Sequence, residues 1–412
     1  MSGRDEIVRV LLDAGAKVDK PDVRGMTALM TAVSTDHASA NIVRMFLQSG
    51  SDPGLKSEIG ESTFDWARKF NNPAVLALLK LPPVTAASNV KPVVNAVTLT
   101  PRQAVERALP PIQRAADFIF KDNGCVACHA QPMAEMAANL ARSRGWHVEE
   151  SLSKTSLDSI RNQLTTNVQP YLQGREGGGF PDSLLYATMA LAANNVPPTP
   201  GTDSVVHYLA AKQYDAGYWE VFDGFRAPMQ DGNFSRTAIA IRALAVYGTP
   251  GRKPEFDKRI TQAAKWLASE APFATEPHVM QLLGLYWANA EPRLRATCLR
   301  QLTAQQHPDG GWSQNPYLET DAYATGQVLY AMHVLGVPST DPAFRRGVDF
   351  LLRTQQEDGT WHVKNRAMKL QPYFESGFPY EHDQWISSAA TAWASMALSL
   401  SEPEQTKVAA TR

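Results

Sequence analysis

The sequence predicts an all-α protein, and three observations carry that expectation. Apolar residues recur at helical spacing through most of the chain, Gly- and Pro-rich loops separate the periodic runs, and no stretch alternates convincingly as a strand. Two internal repeats of different period then divide the chain, one before residue 80 and one after residue 150. At 412 residues the length implies two to three domains.

A formal charge of −1 and a pI near 6.8 give no electrostatic pull towards nucleic acid or anionic lipid. No apolar run approaches the roughly 18 residues that a membrane helix needs. Three cysteines make no disulfide framework, so stability must come from packing.

The first repeat pairs Glu6 to Ala16 with Asn41 to Ser51, and Gly25-Met26-Thr27-Ala28-Leu29 with Gly60-Glu61-Ser62-Thr63-Phe64, both at an offset of 35 residues. Each unit offers one apolar helix face and ends in a Gly that turns the chain out of the helix. Residues 1–80 therefore resemble ankyrin repeats, with a small insertion near Thr35-Asp36-His37. The resemblance implies a docking surface for a protein partner, with a purely structural end-cap as the alternative. The first unit starts in its second helix, which is expected of a chain truncated at that point or lacking upstream repeats. Residues 81–100 carry Pro82, Pro83 and Pro92 without helical period and read as a linker.

Residues 101–150 hold the densest chemistry. Pro101, Pro110 and Pro111 punctuate the start, Ile112 to Phe120 reads as a helix, and a second helix follows from Pro132 to near Gly145. Between them stands Cys125-Val126-Ala127-Cys128-His129. Helix, Cys-x-x-Cys-His, helix resembles a site of covalent haem attachment, which implies haem c held through Cys125 and Cys128 with His129 as proximal iron ligand. A redox pair would need a βαβ setting, and a structural zinc would need a second ligand pair where Cys298 stands alone. Met133 lies four residues beyond His129, on the same helix face, so it and Met136 are expected to line the pocket. A distal ligand must come from elsewhere, and His147, Met189, Met229 and His207 all remain open.

Residues 151–402 repeat a loop pattern: Gln213, Gly217, Trp219; Gln306, Gly310, Trp312; Gln355, Gly359, Trp361. Each copy leads into a similar helix, beginning at Thr237, Thr325 and Thr391. Trp312 and Trp361 lie 49 residues apart and Trp219 and Trp312 lie 93 apart, so one hairpin without the motif, from about Pro254 to Ala288, fills the gap. Gln-x-x-x-Gly-x-Trp resembles the QW repeat of squalene and oxidosqualene cyclases, related to the protein prenyltransferase β-subunit. That resemblance implies an α/α toroid of helical hairpins around a central cavity. The position of the cyclase Asp-x-Asp-Asp acid reads Glu319-Thr320-Asp321-Ala322: Asp321 matches the acid, but its last Asp has become Ala. Glu319 and Asp321 are equally acceptable as helix N-terminal residues. The insertion from His362 to Asp383 is expected to cover the cavity or the haem, or to pack on the toroid face.

The leading functional expectation is a c-type haem protein for electron transfer or redox sensing, extracytoplasmic if haem is attached, although Met1-Ser2-Gly3-Arg4 opens no signal peptide. It would need a redox partner. The rival is a terpenoid cyclase-like or isoprenoid-modifying enzyme using Asp321 and Glu319 on an isoprenoid ligand, and a third is a non-catalytic interaction scaffold.

Overall fold

The computed structural model describes residues 4–84, 99–124, 126–175, 182–220, 226–230, 232–368 and 373–402. The N-terminal stack holds α1 (Asp5–Asp13), α2 (Ala28–Val33), α3 (Ala40–Gln48), α4 (Thr63–Phe70) and α5 (Pro73–Leu78). Its 35-residue period is written in hydrogen bonds. Thr27 and Ser62 each cap their helix on the third amide. The preceding turns close through Asp22 N–H to Met26 O and Ser57 N–H to Glu61 O, both 2.9 Å. Gly25 sits at φ +71°, where a Cβ would meet Glu58 N at 2.8 Å, so neighbouring turns stack closely only because this position is glycine. Leu29, Met30, Val43, Trp66 and Leu76 form the buried seam.

The rest is a ring of hairpins: α6 (Pro101–Asn123) with α7 (Gln131–Ser143); α8 (Glu150–Thr166) and a short α9 (Val168–Leu172) with α10 (Asp182–Ala193); α11 (Pro200–Lys212) with α12 (Asn233–Tyr247); α13 (Lys253–Ser269) with α14 (Thr275–Trp287); α15 (Pro292–Thr303) with α16 (Ala322–Val334); and α17 (Pro342–Thr354) with α18 (Gln384–Ser401). The second member of each hairpin lies inside. The order α7, α10, α12, α14, α16, α18 closes because α18 packs on both α16 and α7. The inner helix α18 is buried from Gln384 to Leu400 without one charged residue. Outer α17 buries only one face. One core runs from Ala104 to Leu398, so α6 and α7, with the Cys-His segment between them, belong to the ring. Among the described residues the only ladder pairs Trp312–Ser313 with Thr320–Asp321.

One boundary differs from expectation. The helix before the Cys-His segment does not begin at Ile112 but at Pro101, capped by Thr100, and it runs through Pro110 and Pro111. Proline in a helix interior forfeits a backbone hydrogen bond and crowds the preceding turn. Tertiary packing outweighs that cost: Ala104, Val105, Ala108, Leu109, Ile112, Ala115 and Ala116 are all buried.

The Gln-Gly-Trp loops act as staples. Gln213, Gln306 and Gln355 each donate from Nε2 to the carbonyl of their own Gly (2.8, 2.9 and 2.8 Å) and to one on a following outer helix: Arg259 (3.0 Å), Ala343 (2.8 Å) and Ala104 (2.8 Å). The Trp indoles donate to Leu209, Leu302 and Leu351 carbonyls, and the Trp amides to Thr237, Thr325 and Thr391 hydroxyls. The last staple reaches back to α6, closing the ring between the two ends of the toroid.

The ankyrin stack is docked on one face of this ring. Arg366 meets Asp36 through two 2.8 Å bonds with both side chains almost fully buried, and Asn315 donates to Asp36 at 2.7 Å. Asn71 donates to Tyr317 O, His37 faces Phe273, and Ala227 and Met368 join the ankyrin core. All these toroid residues lie in loops that lead into the N-termini of inner helices. The first half of the 362–383 insertion is thus the ankyrin dock; residues 369–372 lie outside the described residues.

Candidate functional site at the covered face of the toroid

Six inner helices start at this face, and the first turns of α10, α12, α14 and α16 are tied together. Asp182 at the head of α10 takes Arg236 of α12 in a two-pronged buried ion pair at 2.8 and 2.7 Å. Ser235 donates to Glu276 of α14 at 2.8 Å, and Tyr323 of α16 donates to the other Glu276 oxygen at 2.7 Å. Burial pushes the Glu276 carboxyl up to about 7, against the pull of these hydroxyls. The Tyr186 hydroxyl, also buried, has no hydrogen-bond partner, and the Glu276 charge lies close enough to oppose its ionisation.

The Cys-His segment enters the same face at the head of α7. Cys128 and His129 are buried at 4% and 8% exposure, and Cys125 lies outside the described residues. The Cys128 Sγ stands 3.9 Å from Met229 Sδ. Burial pushes this thiol up to about 12, so it is not a thiolate nucleophile. His129 lies edge-on to Trp385 of α18 at 5.9 Å, and its Nδ1 has no hydrogen-bond partner. Burial first, and then the Arg226 charge, hold its pKa well below the usual imidazole value. Arg226 stacks on the same indole, 3.9 Å from its centre. Among the described residues no cluster of three or more His, Cys, Asp or Glu forms a metal-sized set, and no helix is long and apolar enough to cross a membrane.

The other expected positions separate. Met133 and Met136 are buried along α7. His147 is exposed beside Glu149, and His207 faces Arg252 on the outer layer. Met189 is buried on α10, and of the open distal candidates Met229 stands beside Cys128. Glu319 is exposed in the loop before α16. Asp321 caps α16, accepting from Ala324 N–H at 2.9 Å and from Gln314 at 2.9 Å, and burial raises its carboxyl to about 6. Gln314 in turn accepts from Arg366 at 2.7 Å, so Asp321 is joined to the ankyrin dock through one residue. Asp182, Arg236 and Glu276 escape sequence reasoning because Glu276 belongs to the hairpin without the Gln-Gly-Trp loop. Their shared position in the first turn of an inner helix is the signal that points to them.

Residues 271–412 match the family model of the squalene-hopene cyclase C-terminal domain, and residues 24–58 match the ankyrin repeat. The chain is an ankyrin stack joined to a cyclase-like α/α toroid. Over 97 residues, 24% of this chain, it is 32% identical to squalene–hopene cyclase of Bradyrhizobium diazoefficiens, covering 14% of that protein. Over 76 residues, 18% of this chain, it is 38% identical to ankyrin repeat domain-containing protein 63 of Mus musculus, covering 19% of it. The matched stretches thus span less than a fifth of each relative. A crystal structure of a protein from Actinoplanes aligns at 13% identity and a TM-score of 0.45, over 71% of this chain and 99% of that one.

Proposed function

We propose that this chain is a c-type haem protein for electron transfer or redox sensing, with the haem held by Cys125, Cys128 and His129 at the face of the toroid that the ankyrin stack covers. The observation that carries the reading is the enclosure of Cys128 and His129 together at the head of an inner helix, with a buried imidazole nitrogen that no group among the described residues satisfies. The residues present fit such a group: the Cys128 thiol, a neutral imidazole and the Met229 thioether nearby. A haem bound there supplies one-electron exchange. The chain supplies a low-dielectric enclosure from Trp385, Met229 and Val126, and Arg226 supplies a fixed positive charge. Covalent attachment places the working protein outside the cytoplasm, where it meets a redox partner. A pyridine haemochrome spectrum of protein made with the haem-attachment machinery and an export signal tests this. Covalent haem lost on Cys125→Ser or Cys128→Ser is expected, and absence of covalent haem in the native sequence removes the reading.

A second reading is favoured by Glu276. Two carboxyls, that of buried Glu276, bonded to Tyr323, and that of Asp321 at the head of α16, lie at one face of a cyclase-like toroid, where an isoprenoid-modifying enzyme would place its proton carriers. Turnover of a polyprene substrate that survives both Glu276→Gln and Asp321→Asn would remove these residues from the mechanism, and no turnover by the native sequence would remove the reading. Ankyrin repeats suggest protein binding, and a protein partner is proposed for the surface of the stack turned away from the toroid.

A further inference from the structure

Arg226 is out of place for a structural arginine. The other buried arginines of this face have carboxylates: Arg236 has Asp182, and Arg366 has Asp36. Among the described residues Arg226 forms no ion pair, and its guanidinium lies over the Trp385 ring. It is half-buried, and desolvation lowers its pKa. The segment carrying it is fixed on its C-terminal side. Ala227 is packed into the ankyrin core, Gln230 pairs with the Arg226 backbone, and the Gln230 side chain donates to Asp182 at 3.0 Å. A cation enclosed without a counter-charge among the described residues is costly unless a ligand supplies one. Beside it lies a second unmet group, the His129 Nδ1, on a side chain that is more than nine-tenths buried and set against the same indole.

We propose that Arg226 is the binding residue for a carboxylate ligand at the covered face of the toroid. The carboxylate pairs with the guanidinium, and the apolar body of the ligand lies against Trp385, Met229 and Cys128. A single guanidinium, planar and seated on an aromatic face, suits a carboxylate. A polyanion would be opposed by Asp182, Glu276 and Asp321 around the ring. Two sources have this chemistry: a propionate of the covalently held haem, in which case the inference rests on the haem reading above, or a free apolar acid, in which case it does not.

Two arms separate them. In protein loaded by the haem-attachment machinery, the pH profile of the midpoint potential is measured for the native sequence, Arg226→Gln and Arg226→Lys. Other titratable or charged groups on this face are Cys128, His129, Tyr186, Tyr323, Glu276, Asp321 and the Asp182–Arg236 pair, and they are common to all three proteins. A propionate deprived of its cation becomes harder to ionise, so Arg226→Gln is expected to make the potential fall with pH over a range where the native profile is flat, and Arg226→Lys to restore the flat profile. In haem-free protein, binding of sodium octanoate is followed by calorimetry. Arg226→Gln is expected to weaken it at least about tenfold and Arg226→Lys to retain most of it. A change in the first arm assigns the ligand as propionate, and Arg226-dependent octanoate binding in the second supports a free acid. An unchanged potential profile together with no Arg226-dependent octanoate binding overturns the inference. If no haem attaches, the haem reading fails and the octanoate arm alone decides this one.

Discussion

Replacing Arg366 by Met removes a charge from the junction between the ankyrin stack and the toroid while keeping a stem over Phe70, whose ring the guanidinium covers at 4.9 Å. The Asp36 carboxylate, 3% exposed in its side chain, then loses two 2.8 Å bonds and stays buried. Breaking one side of such a pair costs about 3–5 kcal/mol, because the remaining charge keeps its desolvation penalty without its partner. The lower end applies here, since Asn315 still donates to Asp36 at 2.7 Å. About 3 kcal/mol changes the ratio of docked to undocked stack by roughly a hundredfold. Hydrogen exchange read by mass spectrometry on peptides from α2 to α5 and from the loops before α16 and α18 reports that ratio directly. A loss of protection of this order is expected in both sets, with the inner ends of the toroid helices unaffected. The double variant Asp36→Leu, Arg366→Met removes both charges and is expected to recover most of it. If the single change alters exchange by less than about threefold, the pair is not what holds the stack; if the double variant is no better than the single one, the loss was of packing and not of charge.

Glu276 is held near 7 against an ordinary value of 4.5, so the folded protein holds this proton more tightly than the unfolded chain, and its stabilising contribution is full below about 4.5 and lost as pH rises to 7. Glu276→Gln should flatten the stability profile across that window by about 3 kcal/mol in urea melts, leaving a slope from Glu135 and Asp321, whose carboxyls burial also raises to about 7 and about 6; an unchanged slope would contradict the burial argument. Gly359→Ala places a Cβ 2.6 Å from Arg107 O at φ +87° and should lower the unfolding midpoint far more than Gly336→Ala, where φ is +83° but the space is open; equal effects would mean that ring closure on α6 does not constrain the loop. In haem-free native protein, Cys128 should resist alkylation until the chain unfolds, and rapid labelling in folded protein would contradict its enclosure.

The sequence by itself determined the all-α class, the 35-residue ankyrin period and the Gln-Gly-Trp loops, because each rests on partners a few residues apart. Gln306 reaches the carbonyl of Gly310 within its own motif, and Thr27 caps the helix that it precedes. The Cys-His motif was legible as chemistry for the same reason. Its surroundings were not. Arg366 and Asp36 are separated by 330 residues, Cys128 and Met229 by 101, and Ser235 and Glu276 by 41, and no local pattern marks either member of these pairs. The long helix through Pro110 and Pro111 shows the same limit, since local preference ends a helix there and only burial against α7 and α18 carries it on. Tertiary structure alone decided that the first turns of six separate helices converge, and that the ankyrin stack sits over them. Closing a ring of hairpins brings equivalent positions of distant repeats to one face, and the charges stranded there must find partners across the ring or in the domain that covers it.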